Sequence, residues 1–274
     1  MLRLVSSKGG EPPADLIVVS HPLPGVVHLA LNQPQQRNAL TEQLALALRR
    51  EVARVAETDS ARALIVTGNG SAFCAGADLG ALGAEATTPA AKRQVLVDYY
   101  RAFLDLRELR LPTIAAVNGA AIGAGLNLAL CCDLRIVADD ARLAAPFVRL
   151  GIHPGGGATW MLTRLVGPAA AKEMLLLGRP IDAQRAYQIG LANRVVPAPA
   201  LQGEALEWAA ALAALPRPVL RNLKRTLELA QSGAPLEGVI DVESAAQADA
   251  LASEDAREGW AAFRDHRAPE FRDR

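Results

Sequence analysis

Cysteine is scarce in this chain, which excludes disulfide bonds as the main source of its stability. The 274 residues include three cysteines, Cys74, Cys131 and Cys132, and the last two are adjacent. An odd count with an adjacent pair is a poor disulfide framework and favours a reducing compartment. We therefore expect a cytoplasmic protein held together by apolar burial, since hydrophobic residues make up 51% of the chain.

The chain also lacks an excess of charge of either sign and any long hydrophobic run. Its 29 basic residues balance its 29 acidic residues. A nucleic-acid-binding protein usually carries a basic excess, so no nucleic-acid partner is expected. No apolar run reaches about 18 residues, so no membrane span is expected. Residues 1–15 lack the apolar centre of a signal peptide and predict a flexible N-terminal tail.

Several catalytic motifs are missing too. The chain contains no G-x-x-x-x-G-K-[ST] phosphate loop and no G-x-S-x-G elbow. Leu128 stands where a dinucleotide fingerprint that began at Gly123 would have its third glycine. The four histidines are scattered without metal-ligand spacing: His21, His28, His153 and His266. These absences argue against nucleotide hydrolysis, simple dehydrogenase chemistry, serine hydrolysis and a metal site.

What the chain does contain, over its first two-thirds, is an alternation of apolar strands and amphipathic helices. Strands are predicted at 16–20, 26–32, 63–70, 113–119 and 134–139, and helices at 41–57, at 90–110 and ending near Cys132. Thr41 is the expected N-cap of the first helix. Such alternation predicts parallel βαβ units and an α/β fold. After Gly157 the pattern is helical at 157–166, 168–177, 182–189, 200–214, 217–231, 235–250 and 254–265, with one strand at 192–197.

Small residues and turn formers follow three of the predicted strands, at 31–41, 68–79 and 117–127. Parallel sheets place their ligand crevices at the carboxyl ends of strands. In the third segment, Gly123-Ala124-Gly125 opens a helix, where backbone N–H groups are free to bind an anion or an oxygen that becomes one. Tight helix packing would be the simpler interpretation of this segment if it stood alone.

Five motifs in order make the chain resemble the enoyl-CoA hydratase/isomerase family, the crotonases, from about residue 16 to 272. They are LNQPQQRNAL, FCAGADL, AAVNGAAIGAGLNLALCCDLRIVADDARLAAPFVRLGIHPGGGATWMLTRLVG, LLLGRPIDAQRAYQIGLANRVVP and EGWAAFRDHRAPEF. The resemblance implies a crotonase-like spiral of ββα units at 16–198 and a helical C-terminal trimerisation region at 199–274. It also implies self-association as a homotrimer or hexamer.

The same resemblance implies roles for individual residues. The N–H groups of Ala77 and Ala124 would form an oxyanion hole for the thioester carbonyl of an acyl-CoA or enoyl-CoA, worth roughly 3–4 kcal/mol per donor in analogous sites. Coenzyme A would enter as part of the substrate, with no tightly bound cofactor. Its binding residues would be Arg37, Ala39, Ala75, Asp78, Leu79, Lys224 and Phe263, the last two reaching the nucleotide end, often from a neighbouring subunit.

The chain departs from the family pattern where hydratases carry two glutamates. Those positions hold Asn127 and Phe147, and neither side chain transfers protons at neutral pH. Because general acid–base groups typically contribute about 10²–10⁴-fold each, ordinary hydration is expected to be slow or absent. Two hypotheses follow: an acyl-CoA enzyme with a different reaction, such as double-bond isomerisation, or a catalytically silent acyl-CoA binding protein.

Other groups are weaker candidates for the missing chemistry. His153 could replace the lost base, although a loop or interface histidine is the simpler interpretation. Asp78 could act near the α-carbon or cap backbone N–H groups, and Cys74 could be a nucleophile or packing. Tyr99 and Tyr100 could line the acyl pocket, but core packing of one and exposure of the other fits equally well.

Overall fold

The computed structural model describes residues 16–78 and 85–273. Its strands are β1 (Ile17–Leu23), β2 (Val26–Leu31), β3 (Ala63–Gly68), β4 (Ala72–Cys74), β5 (Thr113–Val117), β6 (Ala120–Ile122), β7 (Leu134–Ala138), β8 (Arg142–Ala144), β9 (Ile181–Asp182) and β10 (Arg194–Val196). Its α-helices are α1 (Glu42–Glu57), α2 (Pro89–Leu104), α3 (Ala124–Cys131), α4 (Ala158–Leu177), α5 (Ala183–Gln188), α6 (Leu201–Ala213), α7 (Arg217–Gln231), α8 (Leu236–Ala252) and α9 (Glu254–Arg264). The predicted tail at 1–15 lies outside the described residues.

A six-stranded sheet in the order β1-β2-β3-β5-β7-β10 forms the centre of the fold. The predicted hairpin is confirmed, because β1 pairs with β2 antiparallel. The remaining pairings are parallel, as the alternation of strands and helices predicted. Every residue of β3 and β5 is buried, which explains why these strands are continuous apolar runs in the sequence.

A second sheet in the order β4-β6-β8-β9 was not predicted. Strands β4, β6 and β8 are parallel, and β9 pairs antiparallel with β8. Each of these strands has only two or three residues, which is too short for an alternating pattern to be visible in the sequence. The expectation of a single strand after Gly157 was wrong for the same reason, since β9 lies there as well as β10.

Helix α1 begins as predicted. Thr41 is its N-cap, and the Thr41 side chain accepts a hydrogen bond from the Leu44 N–H at 3.2 Å. The apolar face of α1 includes Leu44, Leu48 and Val52, all 2% exposed or less. Burying side chains of this size stabilises the fold by about 1.5–3 kcal/mol each.

One helical prediction needs correction and another is confirmed. The expected helix at 90–110 ends at Leu104 and continues as a 3₁₀ turn, Asp105–Glu108. The separation of the helices predicted at 157–166 and 168–177 is confirmed, because the run α4 is interrupted at Gly167, whose φ of 73° is not helical. Pro168 follows that break and has no N–H to donate to the preceding turn.

The C-terminal helices fall into two groups. Helix α6 packs on β3, β5 and β7 and buries Leu201, Ala205 and Ala209. Helices α7 and α8 each bury a single side chain, Thr226 and Val239 respectively. They leave apolar side chains such as Leu223, Leu227 and Leu236 exposed. The predicted domain boundary and trimerisation role of this region remain predictions.

The end of the described chain returns to the core. The Asp273 carboxylate lies 2.6 Å from the Arg62 guanidinium and 2.9 Å from the Arg217 guanidinium.

Among residues 16–78 and 85–273, none of the helices combines the length and apolarity needed to cross a bilayer.

Candidate active site

The site is built on two neighbouring strands of the second sheet. Strands β4 and β6 run parallel, with Ala72 opposite Ala120 and Cys74 opposite Ala121. Their carboxyl ends therefore lie side by side. One end continues into the segment 75–78, and the other continues into Gly123 and the start of α3. These are two of the three small-residue segments singled out in the sequence.

Glycines allow these two segments to approach each other. A Cβ on Gly76 would lie 2.7 Å from the Ile122 carbonyl oxygen and 3.7 Å from the Ala124 nitrogen. Gly76 also has a φ of 104°, which side-chain-bearing residues rarely adopt. A Cβ on Gly125 would collide with the Cys74 carbonyl oxygen. Both glycines are therefore needed for the contact between the segments.

Two backbone donors remain available at this contact. Ala124 is the first residue of α3, where an N–H has no partner within the helix. Among the described residues, neither the Ala77 N–H nor the Ala124 N–H has a backbone acceptor. Gly123 carries the strained conformation, with φ 54° and ψ −115°, and Ala124 does not have a positive φ. Alanine at 124 thus fits the helix start, as expected.

A third segment, 37–40, supports the first loop from the outside. The Ala75 N–H donates to the Arg37 carbonyl oxygen at 3.0 Å, and the Leu40 N–H donates to the Gly76 carbonyl oxygen at 2.8 Å. Arg37 is exposed and Ala39 is half-buried. The structure thus brings Arg37, Ala39, Ala75 and the exposed Asp78 to the loop that carries Ala77. Leu79 lies outside the described residues.

Asn38 holds this segment in place, and the sequence analysis did not identify it. Its side chain is fully buried, and its amide nitrogen donates to the Asn69 and Ala72 carbonyl oxygens at 2.9 and 2.8 Å. Its amide oxygen accepts a hydrogen bond from the Gln33 N–H at 2.9 Å. Asn38 also has a φ of 53°, which asparagine tolerates better than most residues. The only feature of the sequence that could have indicated Asn38 was an asparagine within a polar turn.

Asn127 and Phe147 both lie beside the start of α3. Asn127 is 2% exposed, and its amide nitrogen donates to the Gly155 carbonyl oxygen at 2.9 Å. Its buried amide oxygen has no hydrogen-bond partner in the described part of the chain. The half-buried Phe147 ring lies 3.9 Å from the position that a Gly123 Cβ would take. The surroundings of Ala124 thus contain the Asn127 amide and the Phe147 ring, at the positions where the resemblance predicts glutamates in hydratases.

The segment Gly155–Gly156 closes another side of the site. Phe103 and the Asn127 amide pack so closely that a Cβ on Gly156 would come within 2.7 Å and 2.9 Å of them, respectively. The hydroxyl of Tyr100 lies against Gly155, where a Cβ would collide with it. Tyr99 instead is buried, and its hydroxyl donates to the Leu40 carbonyl oxygen at 3.0 Å. Of the two tyrosines, Tyr99 is the core residue and Tyr100 is half-buried.

His153 and the cysteines differ sharply in exposure. His153 is exposed, with its Nδ1 2.7 Å from the Pro154 carbonyl oxygen. All three cysteines are buried and free. Burial raises the pKa of Cys74 to about 12, a cost that backbone hydrogen bonds offset only in part. A thiolate is disfavoured there, so Cys74 behaves as packing and not as a nucleophile.

Lys224 and Phe263 lie away from this cluster within the chain. The Lys224 ammonium lies 2.7 Å from the Asp133 carboxylate and donates to the Leu111 carbonyl oxygen at 2.8 Å. Asp133 and Leu111 stand just before β7 and β5, at the amino ends of those strands, whereas the site follows strand carboxyl ends. Phe263 is 78% exposed on α9. Any role of these two residues in binding coenzyme A remains a prediction.

Among the described residues, no group of three or more His, Cys, Asp or Glu side chains is arranged to hold a metal ion. Two parallel strand ends, lined by glycine, present backbone N–H groups that have no backbone acceptor among the described residues. The parallel sheets and this pair of loops agree with the crotonase resemblance found in the motifs.

Comparison with known proteins agrees with this resemblance. The family model described as enoyl-CoA hydratase/isomerase matches residues 23–274. "Probable enoyl-CoA hydratase echA14" of Mycobacterium tuberculosis is 47% identical over 212 residues, which are 77% of this chain and 81% of that protein. "1,2-epoxyphenylacetyl-CoA isomerase" of Escherichia coli is 36% identical over 256 residues, covering 93% of this chain and 97% of that protein.

Solved structures give the same result. The crystal structure of an enoyl-CoA hydratase from Bacillus anthracis superimposes with a TM-score of 0.88 at 33% sequence identity, covering 94% of this chain and 100% of that chain. This chain belongs to the enoyl-CoA hydratase/isomerase family, whose members act on coenzyme A thioesters. The resemblance in the motifs and the predicted crotonase-like α/β fold are both confirmed.

Proposed function

We propose that this protein is an acyl-CoA enzyme in which the N–H groups of Ala77 and Ala124 bind the thioester oxygen of the substrate. The observation that carries the proposal is the contact between Gly76 and the segment from Ile122 to Ala124, which sets two unpaired donors on adjoining loops. Donors fixed in advance stabilise the enolate oxygen that forms when a proton leaves the α-carbon.

The proposed reaction differs from standard hydration. A hydratase must activate water with an acid–base pair. The positions where the motifs predict the two glutamates hold Asn127 and Phe147 in this chain. Neither side chain titrates near neutral pH, and the Asn127 amide nitrogen is already bound to the Gly155 carbonyl. We therefore infer enolate chemistry, such as proton exchange or a double-bond shift, with hydration slow or absent. His153 and Asp78 remain the candidates for a base, because His153 is exposed two residues before Gly155 and the exposed Asp78 directly follows Ala77.

The coenzyme A portion would lie along the segments that frame Ala77. Arg37 supplies an exposed cation suited to a phosphate, and Ala39, Ala75 and Asp78 lie at or beside the same backbone contact. Phe263 is exposed enough to reach a neighbouring subunit's ligand in a homotrimer or hexamer. In this proposal, coenzyme A enters as part of the substrate, the protein has no tightly bound cofactor, and it acts in the cytoplasm.

A test of the oxyanion site follows from the position of Ala124. Proline is favoured at the first position of a helix, so Ala124→Pro removes the N–H with little cost to α3. The ψ of −115° at Gly123 mirrors the extended conformation that a residue before proline prefers. Ala124→Gly keeps the donor and is the matched control.

The measurement is exchange of the α-protons of butyryl-CoA in deuterated water, followed by mass spectrometry. We expect Ala124→Pro to lower the exchange rate by about 10²-fold or more, and Ala124→Gly to change it by a few-fold at most. Equal rates in both variants would refute the role of this N–H. His153→Gln in the same assay tests whether the histidine supplies the base.

The absence of both glutamates favours a second candidate, a catalytically silent acyl-CoA binding protein. In that case butyryl-CoA binds at micromolar concentration, no α-proton exchanges, and enoyl-CoA absorbance stays constant. If no acyl-CoA binds, both candidates are wrong.

A further inference from the structure

Adjacent tyrosines on α2 occupy very different surroundings. The hydroxyl of Tyr99 is bound to the Leu40 carbonyl oxygen, and its side chain is 8% exposed. Tyr100 is half-buried, and its ring packs edge-on and tilted against Tyr99 and Phe103, with both centroid distances 6.1 Å. The first hydroxyl serves the fold, whereas the function of the second is not explained by packing.

The Tyr100 hydroxyl meets the same glycine segment as Asn127. It lies against Gly155, whose carbonyl oxygen accepts the hydrogen bond from the Asn127 amide. The Gly156 backbone forms a hydrogen bond with the Tyr100 oxygen. Asn127 stands one helical turn after Ala124 on α3, so this helix and the Tyr100 hydroxyl contact the same glycine segment.

The chemistry of Tyr100 is that of a hydrogen-bond donor. Burial raises its pKa, and the hydrogen bond from Gly156 offsets that shift only in part, so the phenol stays protonated at neutral pH. No acceptor for its proton occurs among residues 16–78 and 85–273. The other side chains at this glycine segment are Phe103 and the Asn127 amide, whose nitrogen is bound to the Gly155 carbonyl and whose oxygen has no partner among the described residues.

We propose that Tyr100 determines specificity by donating a hydrogen bond to an oxygen on the acyl chain, so that the preferred substrates are thioesters with a hydroxyl or carbonyl beyond the thioester group. This inference rests on the proposed function, because it takes the acyl chain to extend from Ala124 past Asn127. A site that donates a hydrogen bond to its substrate favours an acyl chain with an acceptor at that position over a chain without one.

Calorimetric binding measurements test the proposal. The ligands are butyryl-CoA, 3-hydroxybutyryl-CoA and 4-hydroxybutyryl-CoA. They differ in whether the acyl chain carries a hydroxyl group and at which carbon. The variants are Tyr100→Phe and, as a matched control, Tyr187→Phe, since Tyr187 is 52% exposed on α5. We expect Tyr100→Phe to weaken at least one hydroxylated ligand by about tenfold, and to change butyryl-CoA binding by no more than about twofold. Tyr187→Phe should change none of the three.

Each alternative outcome has a definite meaning. If Tyr100→Phe weakens all three ligands equally, the residue has only a structural role and the inference fails. If it weakens none, the inference fails and the proposed function stands, because butyryl-CoA still binds. If the wild-type protein binds none of the three, the proposed function fails and the inference fails with it.

Discussion

The Cys74 carbonyl oxygen lies so close to Gly125 that no side chain fits between them. This contact joins the end of β4 to the first turn of α3, and so joins the loop carrying Ala77 to the helix carrying Ala124. The two donors therefore depend on a glycine that is neither in a turn nor at a positive φ.

Gly125→Ala should destabilise the protein, since its methyl group would collide with backbone atoms that cannot rotate away. We expect a loss of about 1–3 kcal/mol in the free energy of unfolding, together with loss of acyl-CoA binding. Urea denaturation measures the first and calorimetry the second. Gly203→Ala is the matched control, because Gly203 lies in α6 with open space around it. That variant should gain about 0.5–1 kcal/mol, and a similar gain for Gly125→Ala would show that the contact does not exist.

Asn38→Ala should cost more than a typical surface change. It removes three hydrogen bonds from a fully buried side chain and places alanine at a φ of 53°. We expect a loss of about 2–4 kcal/mol in the free energy of unfolding. Asn38→Gly removes the same hydrogen bonds without the backbone strain, so it should lose less. Equal losses in the two variants would mean that the strain contributes nothing.

Lys224→Gln tests whether this residue serves the fold or the coenzyme. Its ion pair with Asp133 is only partly exposed, and its loss should lower the free energy of unfolding by about 1 kcal/mol. Calorimetry with butyryl-CoA at neutral pH gives the second readout. Unchanged affinity would show that the predicted contact with coenzyme A is wrong, and a loss of tenfold or more would support it.

The ion pairs of Asp273 with Arg62 and Arg217 should weaken in acid. Desolvation alone would raise the pKa of Asp273, but the hydrogen bonds from Arg62 and Arg217 outweigh it and hold the pKa below its ordinary value of 3.8. A lowered carboxyl pKa contributes stability above the unfolded value and loses it as the pH falls through the folded value. Asp273→Asn should therefore be less stable than wild type at pH 7, and the difference should shrink below about pH 3.8. If the difference in the free energy of unfolding stays constant down to pH 2, these ion pairs do not contribute to stability.

Long periodic segments account for most of what the sequence could predict. Helix α1, the hairpin of β1 and β2 and the apolar strand β5 all carry enough residues for a helical or strand pattern to be visible. Strands β4, β6, β8 and β9 do not, because two or three residues contain no period. Yet β4 and β6 are the strands that carry the candidate site, so its scaffold was the part of the fold that local pattern could not predict.

At the site, motif and geometry contributed different information. The family motifs indicated Ala77 and Ala124, and the substitutions Asn127 and Phe147 are plain in the sequence. The motifs could not indicate Asn38 or distinguish Tyr100 from Tyr99. Those assignments depend on which carbonyl oxygen or glycine each side chain meets, and the partners lie 31 or more residues away in several cases.

The sequence by itself determined the class of this protein, its alternating α/β core and the presence of Asn127 and Phe147 where the motifs predict glutamates, because each of these is written in consecutive residues. Only the tertiary structure decided that Gly76 and Gly125 bring two strand ends together and that Lys224 pairs with Asp133. It also decided that the Tyr99 hydroxyl is bound to the Leu40 carbonyl oxygen, whereas the Tyr100 hydroxyl has no acceptor among the described residues. The physical reason is that close approach and hydrogen bonding depend on distances between residues far apart in the chain, and those distances exist only once the sheets have formed.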